Sequence, residues 1–209
     1  VHTFDKCFFM PSDLTAGLEY NRDRLKDNMW GYNRHTDQTV NIYSAFLQNE
    51  WKNDRWGILI GGRLDKHNMV DNVIFSPRAN LRFNPTQNIN LRLSYSSGFR
   101  APQAFDEDMH IENVGGTVAM IERAKDLKEE KSQSFSVSAD MYHRFGAFQT
   151  NLLIEGFYTR LTDVFVLGKP YDRGDGILVK TRSNGPGAKV MGLTLEGKVA
   201  YLSILQIQA

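Results

Sequence analysis

The residues best suited to bind a ligand lie in one polar segment, where an aromatic ring, carboxylates and an imidazole fall within six positions. The candidate ligand-binding residues are Arg100, Phe105, Asp106, Asp108 and His110. Imidazole and carboxylate groups are common metal ligands and proton carriers. Neighbouring side chains of an extended chain point apart, so the adjacent carboxylates do not converge on one proton. The segment predicts at most a weak binding surface, and a solvated loop is the alternative.

No other group of residues predicts catalysis. Gly61 and Gly62 lack the spacing and the following helix of a phosphate-binding loop. The serines stand in no nucleophile-elbow motif. The single cysteine, Cys7, excludes an internal disulfide and a multi-thiolate metal site. We therefore predict a protein that is not an enzyme, with no catalytic residue, no resident metal and no cofactor.

The bulk properties exclude further classes. The 209 residues include 25 basic and 24 acidic side chains, a formal net charge of +1 that predicts no nucleic-acid partner. The sequence contains no run of 18 apolar residues, so it predicts no transmembrane helix. Membrane β-barrels also lack such runs, because lipid-facing and lumen-facing residues alternate along their strands. The N-terminus carries no signal-peptide pattern, so we expect the chain to begin inside a larger protein or after processing.

Long segments of strict alternation must position the candidate residues. In NINLRLSYS, Asn88 to Ser96, apolar side chains occupy every second position, which predicts a strand with one apolar face. Short turns and long polar connections alternate along the chain. The predicted strands are 2–10, 13–24, 39–52, 56–66, 74–84, 88–99, 132–145, 147–167 and 177–201. They predict an all-β fold, an antiparallel up-and-down meander that forms part of an outer-membrane β-barrel.

The phase of the alternation assigns the two faces. Four arginines fall on the polar face and are predicted to face the lumen: Arg63, Arg78, Arg82 and Arg92. On the lipid face each would cost about 2–4 kcal/mol at mid-membrane. Aromatic residues near the short turns predict an interfacial girdle: Trp51, Trp56, Phe83, Phe145, Phe148 and Tyr201. A soluble or surface-exposed β-sandwich binding module also alternates and remains an alternative, although its strands are usually shorter.

An ordered set of motifs resembles the TonB-dependent outer-membrane receptor family. It includes SPRANLRFNPTQNINLRLSYSSGFRAPQAFDE at Ser76 to Glu107 and SAFLQNEWKNDRWGILIGGRLD at Ser44 to Asp65. Downstream, LKEEKSQSFSVSADM and GAKVMGLTLEG are similar to later strand starts of that family. The resemblance covers nearly the whole chain, in the family's order.

The resemblance implies a barrel of about 22 strands with a plugged lumen. Nine strands are well under half of that number, and an odd count conflicts with the even number of bacterial barrels. We therefore expect residues 1–209 to form a partial β-barrel domain, without the plug and the remaining strands. The implied location is the bacterial outer membrane, and the implied partners are the lipid bilayer and, through the plug, the TonB energy-transducing complex.

The implied function is TonB-dependent uptake of a scarce small molecule such as an iron-siderophore, haem or cobalamin. Phe99-Arg100-Ala101-Pro102 followed by His110 resembles the first box of haem receptors, but the expected NPNL box is absent. The motifs do not identify the ligand. A passive porin-like channel is a further alternative, which the family motifs disfavour.

Overall fold

The computed structural model describes residues 1–32, 34–104, 112–114, 117–174, 176–202 and 204–208. Its strands are β1 His2–Cys7, β2 Met10–Met29, β3 Arg34–Lys52, β4 Trp56–His67, β5 Ile74–Thr86, β6 Ile89–Arg100, β7 Glu112–Val114, β8 Thr117–Arg123, β9 Glu130–Phe145, β10 Phe148–Thr162, β11 Phe165–Leu167, β12 Tyr171–Asp172, β13 Leu178–Asn184, β14 Ala188–Tyr201 and β15 Leu205–Gln208. A 3-10 turn spans Trp30–Tyr32. No helix in these ranges has the length and apolar character needed to cross a membrane.

Ten strands form one antiparallel sheet in the order β1-β2-β3-β4-β5-β6-β9-β10-β14-β15. Strands that follow one another within this sheet are always neighbours, as in an up-and-down meander. Short turns join β1–β2, β3–β4, β5–β6, β9–β10 and β14–β15 at one end, and the other connections, including the long ones after β6 and β10, leave the other end. The predicted all-β antiparallel meander is confirmed. We call these ends the short-turn end and the long-loop end.

The predicted strand ends differ from the observed ones in several places. The first turn was predicted between strands 2–10 and 13–24, but it lies at Phe8 and Phe9, where Phe8 takes a left-handed φ of 64°. The predicted strand 147–167 is interrupted after Thr162, where Asp163 takes a φ of 55°. The predicted strand 177–201 is interrupted at 185–187, where Pro186 has no amide to donate to a ladder. The short β15 brings the large sheet to ten strands where nine were predicted.

The hairpin β2–β3 extends well beyond its predicted ends, through residues that were expected to form a loop. Its register continues to Met29 opposite Arg34. Polar side chains on both sides of this extension pair across the strands: Arg34 with Asp27 at 3.0 Å, and Arg24 with Asp37 at 2.8 Å. Cross-strand ion pairs take the place of apolar pairs in this part of the ladder, and where they are exposed they add at most a small stabilisation.

A second sheet forms within the long connections, in the order β11-β13-β8-β7, with β12 also paired to β13. Strands β13 and β8 run parallel, with Leu178 opposite Ala119. These residues lie in two of the predicted polar connections, one between strands 88–99 and 132–145 and one between strands 147–167 and 177–201. Part of the first connection is strand β8, and its last residues were hidden by the helix-forming composition that continues after Arg123.

Adjacent rows across the large sheet differ sharply in polarity. One row of paired residues is apolar: Trp56, Phe83, Leu91, Ala139, Ile154 and Leu195. The row one residue away is polar: Arg82, Arg92, Ser138, Glu155 and Thr194. Side chains of successive residues point to opposite faces, so the sheet has an apolar face and a polar face. Large residues of the apolar face are exposed, among them Leu18 at 87% and Leu193 at 76%.

Aromatic residues border the apolar face at both ends. Near the short turns Trp56 stacks on Phe83 at 4.2 Å, and Phe148 lies 5.0 Å from Tyr201. A second aromatic row, which the sequence analysis did not predict, runs nearer the long loops: Tyr20, Tyr43, Phe75, Tyr95, Phe135 and Tyr158. Eight to ten residues separate the rows on β3 and β9. At about 3.3 Å per residue and a tilt of about 40°, the interval is about 20–25 Å, close to the apolar band of membrane barrels.

Candidate ligand-binding site

The four predicted lumen-facing arginines lie on the polar face. Arg63 belongs to a cluster near the long-loop end. Its guanidinium donates to Asp65 Oδ1 at 2.8 Å, Glu19 Oε2 at 2.9 Å and Ser44 Oγ at 2.7 Å. Ser44 in turn donates to Asp65 Oδ1 at 2.6 Å. Asp65 is 3% exposed, so this cluster is a fixed, charge-compensated part of the wall.

The other three arginines bind neutral acceptors. Arg78 donates to the side-chain oxygen of Gln48, and Arg82 donates to the backbone oxygen of Asn53 at 3.0 Å. Arg92 donates to Asn90 Oδ1 at 2.8 Å. Arg82 and Arg92 stand directly opposite each other. The polar face therefore carries positive charge that its own hydrogen bonds do not neutralise.

Of the five candidate ligand-binding residues, the structure describes one. Arg100 ends β6 on the polar face, opposite Glu130 on β9. Its guanidinium carbon lies 5.5 Å from the centre of the Phe165 ring, a cation–π arrangement that joins the large sheet to β11. Phe105, Asp106, Asp108 and His110 lie outside the described residues.

A cavity of about 650 Å³ lies at the long-loop end, between β3 and the second sheet. Four cationic residues line it, with Glu122 as the acidic one: Arg34, Arg123, Lys125 and Arg173. Arg34 is paired with Asp27, and Arg173 lies 3.5 Å from Glu122. Lys125 is exposed. This excess of positive charge suits an anionic or polar ligand.

Gln38 on β3 fixes one wall of the cavity. Its side-chain oxygen accepts from the Ala104 amide and from Arg123 Nη1, both at 2.9 Å. Arg123 also donates to the backbone oxygen of Pro102 at 3.0 Å. Gln38 is 8% exposed. Because Gln38 lies on the polar face, these bonds hold the second sheet over that face.

A buried histidine holds the neighbouring connection. His67 ends β4 on the polar face and is 1% exposed. Its Nδ1 accepts from the Met69 amide at 3.0 Å, so the ring proton lies on Nε2, which faces Gln103 Oε1 at 3.3 Å. Burial lowers the pKa of His67, and the Gln103 contact and the Asp65 charge oppose that shift in part. Beside it, Val70, Ile74 and Ala101 form a small apolar core with Phe99.

The comparison with protein-family models decides the family. The model described as "TonB dependent receptor-like, beta-barrel" matches residues 2–208. The chain belongs to this family. Proteins of this family are transport receptors and outer-membrane β-barrels, not enzymes. The resemblance seen in the sequence motifs is therefore confirmed.

Solved structures of TonB-dependent receptors share the fold. The siderophore receptor PirA from Pseudomonas aeruginosa is 18% identical, with a TM-score of 0.75, over 94% of this chain and 37% of that one. The ferric enterobactin receptor PfeA is 19% identical, with a TM-score of 0.69, over 93% of this chain and 31% of that one. The FrpB iron transporter from Neisseria meningitidis is 15% identical, with a TM-score of 0.61, over 96% of this chain and 32% of that one. No curated protein sequence matches the chain.

The chain spans about a third of the length of these receptors. At such low identity the likeness shows the fold of the receptor wall alone. Within the described residues, no group of three or more histidine, cysteine or acidic side chains is arranged to hold a metal ion.

Sequence reasoning missed the cationic cavity of this receptor barrel. Its residues come from β3, from β8 and the residues after it, and from the segment after β12, which are far apart in the sequence. The basic residues of Met120 to Lys131 lie in one of the predicted long polar connections. The available signal was Val118-Ala119-Met120-Ile121, a short apolar stretch of a kind that buried strands share with helices.

Proposed function

We propose that this chain is part of the wall of an outer-membrane transporter that takes up an anionic ferric siderophore with energy from the TonB complex. Family membership supports TonB-dependent uptake, and the cationic cavity over the polar face supports an anionic ligand. The plug domain, which the relatives' greater length leaves room for, would carry the contact with TonB. The iron-receptor names of the structural neighbours are in keeping with this ligand class.

The cationic cavity is the observation on which the ligand class depends. Lys125 projects its charge where no described carboxylate pairs with it, whereas Arg123 is held by Gln38 and Pro102. A ligand with several negative charges would gain attraction from Lys125 and from Arg123, whose hydrogen bonds go to neutral oxygens, and long-range attraction would raise its association rate. Arg100 is proposed as a rim residue that positions β11 beside this cavity. The arginines of the polar face are proposed to line the water-filled lumen.

Uptake by the intact receptor tests the proposal. A strain lacking the receptor should lose uptake of one ⁵⁵Fe-labelled siderophore, and deletion of TonB should abolish the same uptake. The receptor can also be returned to the deletion strain. If it then restores growth only on haem or only on cobalamin, that result would contradict the siderophore assignment. Uptake that persists without TonB would favour a passive channel and contradict active transport.

A matched pair of variants tests the cavity. Lys125→Gln removes a charge from the cavity lining, and Lys128→Gln removes one from an exposed residue three positions later that does not line it. We expect Lys125→Gln to weaken siderophore binding roughly three- to tenfold, and more at low ionic strength. Lys128→Gln should bind as the unmodified receptor does. Equal effects of the two changes would remove the cavity from the site.

A further inference from the structure

Four residues that follow β6 form a short irregular segment, Ala101 to Ala104, which we call the strap. Ala101 and Pro102 are buried, and Gln103 and Ala104 are half-buried. Pro102 and Ala104 line the cationic cavity. The strap is therefore part of the wall of that cavity, and the contacts that fix the strap also fix the shape of the site.

Side chains from three strands hold the strap. Each binds one strap residue: Gln38 of β3 binds Ala104, Arg123 of β8 binds Pro102, and His67 of β4 binds Gln103. Gln38 and Arg123 keep their hydrogen-bonding roles throughout the physiological pH range. An imidazole changes its role when it binds a proton, so His67 is the pH-sensitive member of the three.

His67 also holds a second part of the same wall. Its Nδ1 accepts from the Met69 amide at 3.0 Å, and Met69 lines the cavity. The ring itself is 1% exposed and lies behind these lining residues. One neutral imidazole thus joins two segments of the wall, with Nδ1 as the acceptor and Nε2 as the donor. Both contacts depend on a single protonation state.

Protonation of His67 breaks one contact and places a charge in a buried site. An imidazolium donates from both nitrogens, so its Nδ1–H would face the Met69 N–H. Burial disfavours the charged ring and is the largest cause of its lowered pKa, and the Gln103 contact opposes that shift only in part. We therefore expect the protonated ring to leave its site and to release both segments.

The groups around the ring give a positive charge little compensation. Strand β3 places Ile42 opposite the ring, and β5 contributes Ile74 to the small apolar core beside it. Four charged residues lie on the surrounding elements: Asp65 and Lys66 on β4, Asp71 in the connection after β4, and Arg123 on β8. The Asp65 carboxylate attracts a proton to the ring, but it already accepts from Arg63 at 2.8 Å. Lys66 and Asp71 are exposed to water, and Arg123 is a cation that would repel another.

We propose that His67 is a proton-sensitive positioning residue of the ligand site: the neutral ring holds Met69 and the strap in the cavity wall, and the protonated ring releases them and weakens ligand binding. The inference rests on the proposed function, which makes the cavity the ligand site. Binding should be strongest near neutral pH and should fall as the pH drops below about 6.5, the ordinary histidine value.

Hydrogen exchange of the intact receptor in mild detergent, without ligand, tests the release of the strap. The Ala104 amide, corrected for its intrinsic rate, should exchange about three- to tenfold faster at pH 5.5 than at pH 7.5. A protonated ring that stayed in place would bind Gln103 more tightly, so slower or unchanged exchange of Ala104 would overturn the proposal. Faster exchange of Met69 alone would also overturn it, because the strap would not have moved.

Two histidine variants carry the test to ligand binding. The probe is a ferric tris-catecholate complex, an anionic siderophore type, at pH 7.5 and 6.0. The unmodified receptor should bind it about two- to fourfold more weakly at pH 6.0. His67→Gln, whose amide donates and accepts at both pH values, should lose this change. Equal ratios in His67→Gln and the unmodified receptor would overturn the proposal, whatever protons the complex itself takes up.

His35→Gln is the matched control, because His35 lines the cavity and is not in contact with the strap. Protonation of His35 would add positive charge and strengthen binding of an anion, which is the opposite sign. The weakening at pH 6.0 should therefore persist in His35→Gln. Its disappearance there would assign the pH effect to His35 and overturn the role of His67.

Gln103→Ala cuts the link between the ring and the strap without altering the histidine. Ala104 should exchange faster already at pH 7.5, with less than about a twofold further change at pH 5.5. A full pH response in this variant would overturn the coupling through Gln103. A receptor that fails to bind the ferric complex at either pH would refute the proposed ligand class, and the exchange measurement, which needs no ligand, would still decide whether His67 releases the strap.

Discussion

The two faces of the large sheet share one backbone and differ in every other respect. Leu93 is paired with Leu81 and Val137, whereas its neighbour Ser94 is paired with Asn80 and Ser136. Between its two aromatic rows, a region that we call the apolar belt, the apolar face carries large exposed side chains. The polar face is crossed by ion pairs and amide contacts. These differences suit a wall that separates two solvents rather than one that encloses a core.

A soluble sandwich would resolve the same alternation differently. It would cover the apolar face with a second sheet packed about 10 Å away. In the described residues the second sheet instead contacts the large sheet at its long-loop end, through the polar-face residue Gln38. The apolar face is left for lipid, as the family's outer-membrane barrels require.

The largest effect is expected from placing the same charge on the two faces. Leu93→Arg puts a guanidinium in the middle of the apolar belt. It should lower the free energy of unfolding in lipid by about 2–4 kcal/mol, which is a loss of stability. Ser94→Arg puts it on the polar face, where water solvates it, and should change stability little. Urea titration of the receptor in bilayers measures both. Equal losses would mean that the faces are not distinguished by lipid.

A smaller effect is expected from opening the ion cluster of the polar face. Asp65→Ala leaves Arg63 with Glu19 and Ser44 but without its buried partner. We expect a loss of about 1–3 kcal/mol, since the buried Ser44 hydroxyl and the half-buried Arg63 guanidinium lose a shared hydrogen-bond acceptor. Asn80→Ala, which removes a polar side chain of the same face outside the cluster, is the control. Equal losses would show that the cluster adds nothing.

Much of the wall could be predicted from the sequence, because alternation in a membrane sheet is imposed directly by solvent. For this reason Arg63, Arg78, Arg82 and Arg92, which were predicted to face the lumen, fall together on one face of the sheet. The extension of β2 and β3 could not be predicted, since Arg24, Asp37 and their neighbours are polar on both faces beyond the belt. Partners such as Gln38 and Arg123 are 85 positions apart, and no local pattern announces their contact.

The site was less predictable than the wall because its contacts join residues that are far apart in the sequence. Its cations converge only after the second sheet forms, and that sheet contains a parallel pair, β8 with β13, that requires a long crossover. Local periodicity carries no information on such pairings. His67 was also missed, because its burial depends on the segment that follows β6.

A moderate pH effect is expected at the edge of the polar face. The lowered pKa of His67 means that protonation favours a state in which the ring has left its buried site. In that exposed state the ring binds a proton that it does not hold while buried. The His67 contacts should therefore weaken as the pH falls below about 6.5, the ordinary histidine value. Exchange of the Met69 amide, corrected for its intrinsic rate, should speed up between pH 7.5 and 5.5. His67→Gln should remove this pH dependence, and persistence of the dependence would assign it to another group.

The smallest effect is expected in the extension of the β2–β3 hairpin beyond the apolar belt, where both faces of the sheet are polar. Arg24 and Asp37 form an exposed pair, and the hydrogen bond from Arg24 lowers the pKa of Asp37. Exposed ion pairs contribute little because water and salt screen them. Asp37→Asn should leave stability in bilayers unchanged within error. A clear loss would show that this hairpin extension is part of the rigid wall.

The alternation of solvent along β6 is the most direct test of the account. Single cysteines from Ile89 to Ser97, in a Cys7→Ser background, would carry spin labels in the receptor in bilayers. Collision with oxygen, which concentrates in lipid, should peak at Leu91, Leu93 and Tyr95, and collision with a water-soluble nickel complex should peak at Arg92 and Ser94. Flat profiles, or oxygen maxima at Arg92 and Ser94, would contradict the placement of lipid on the apolar face.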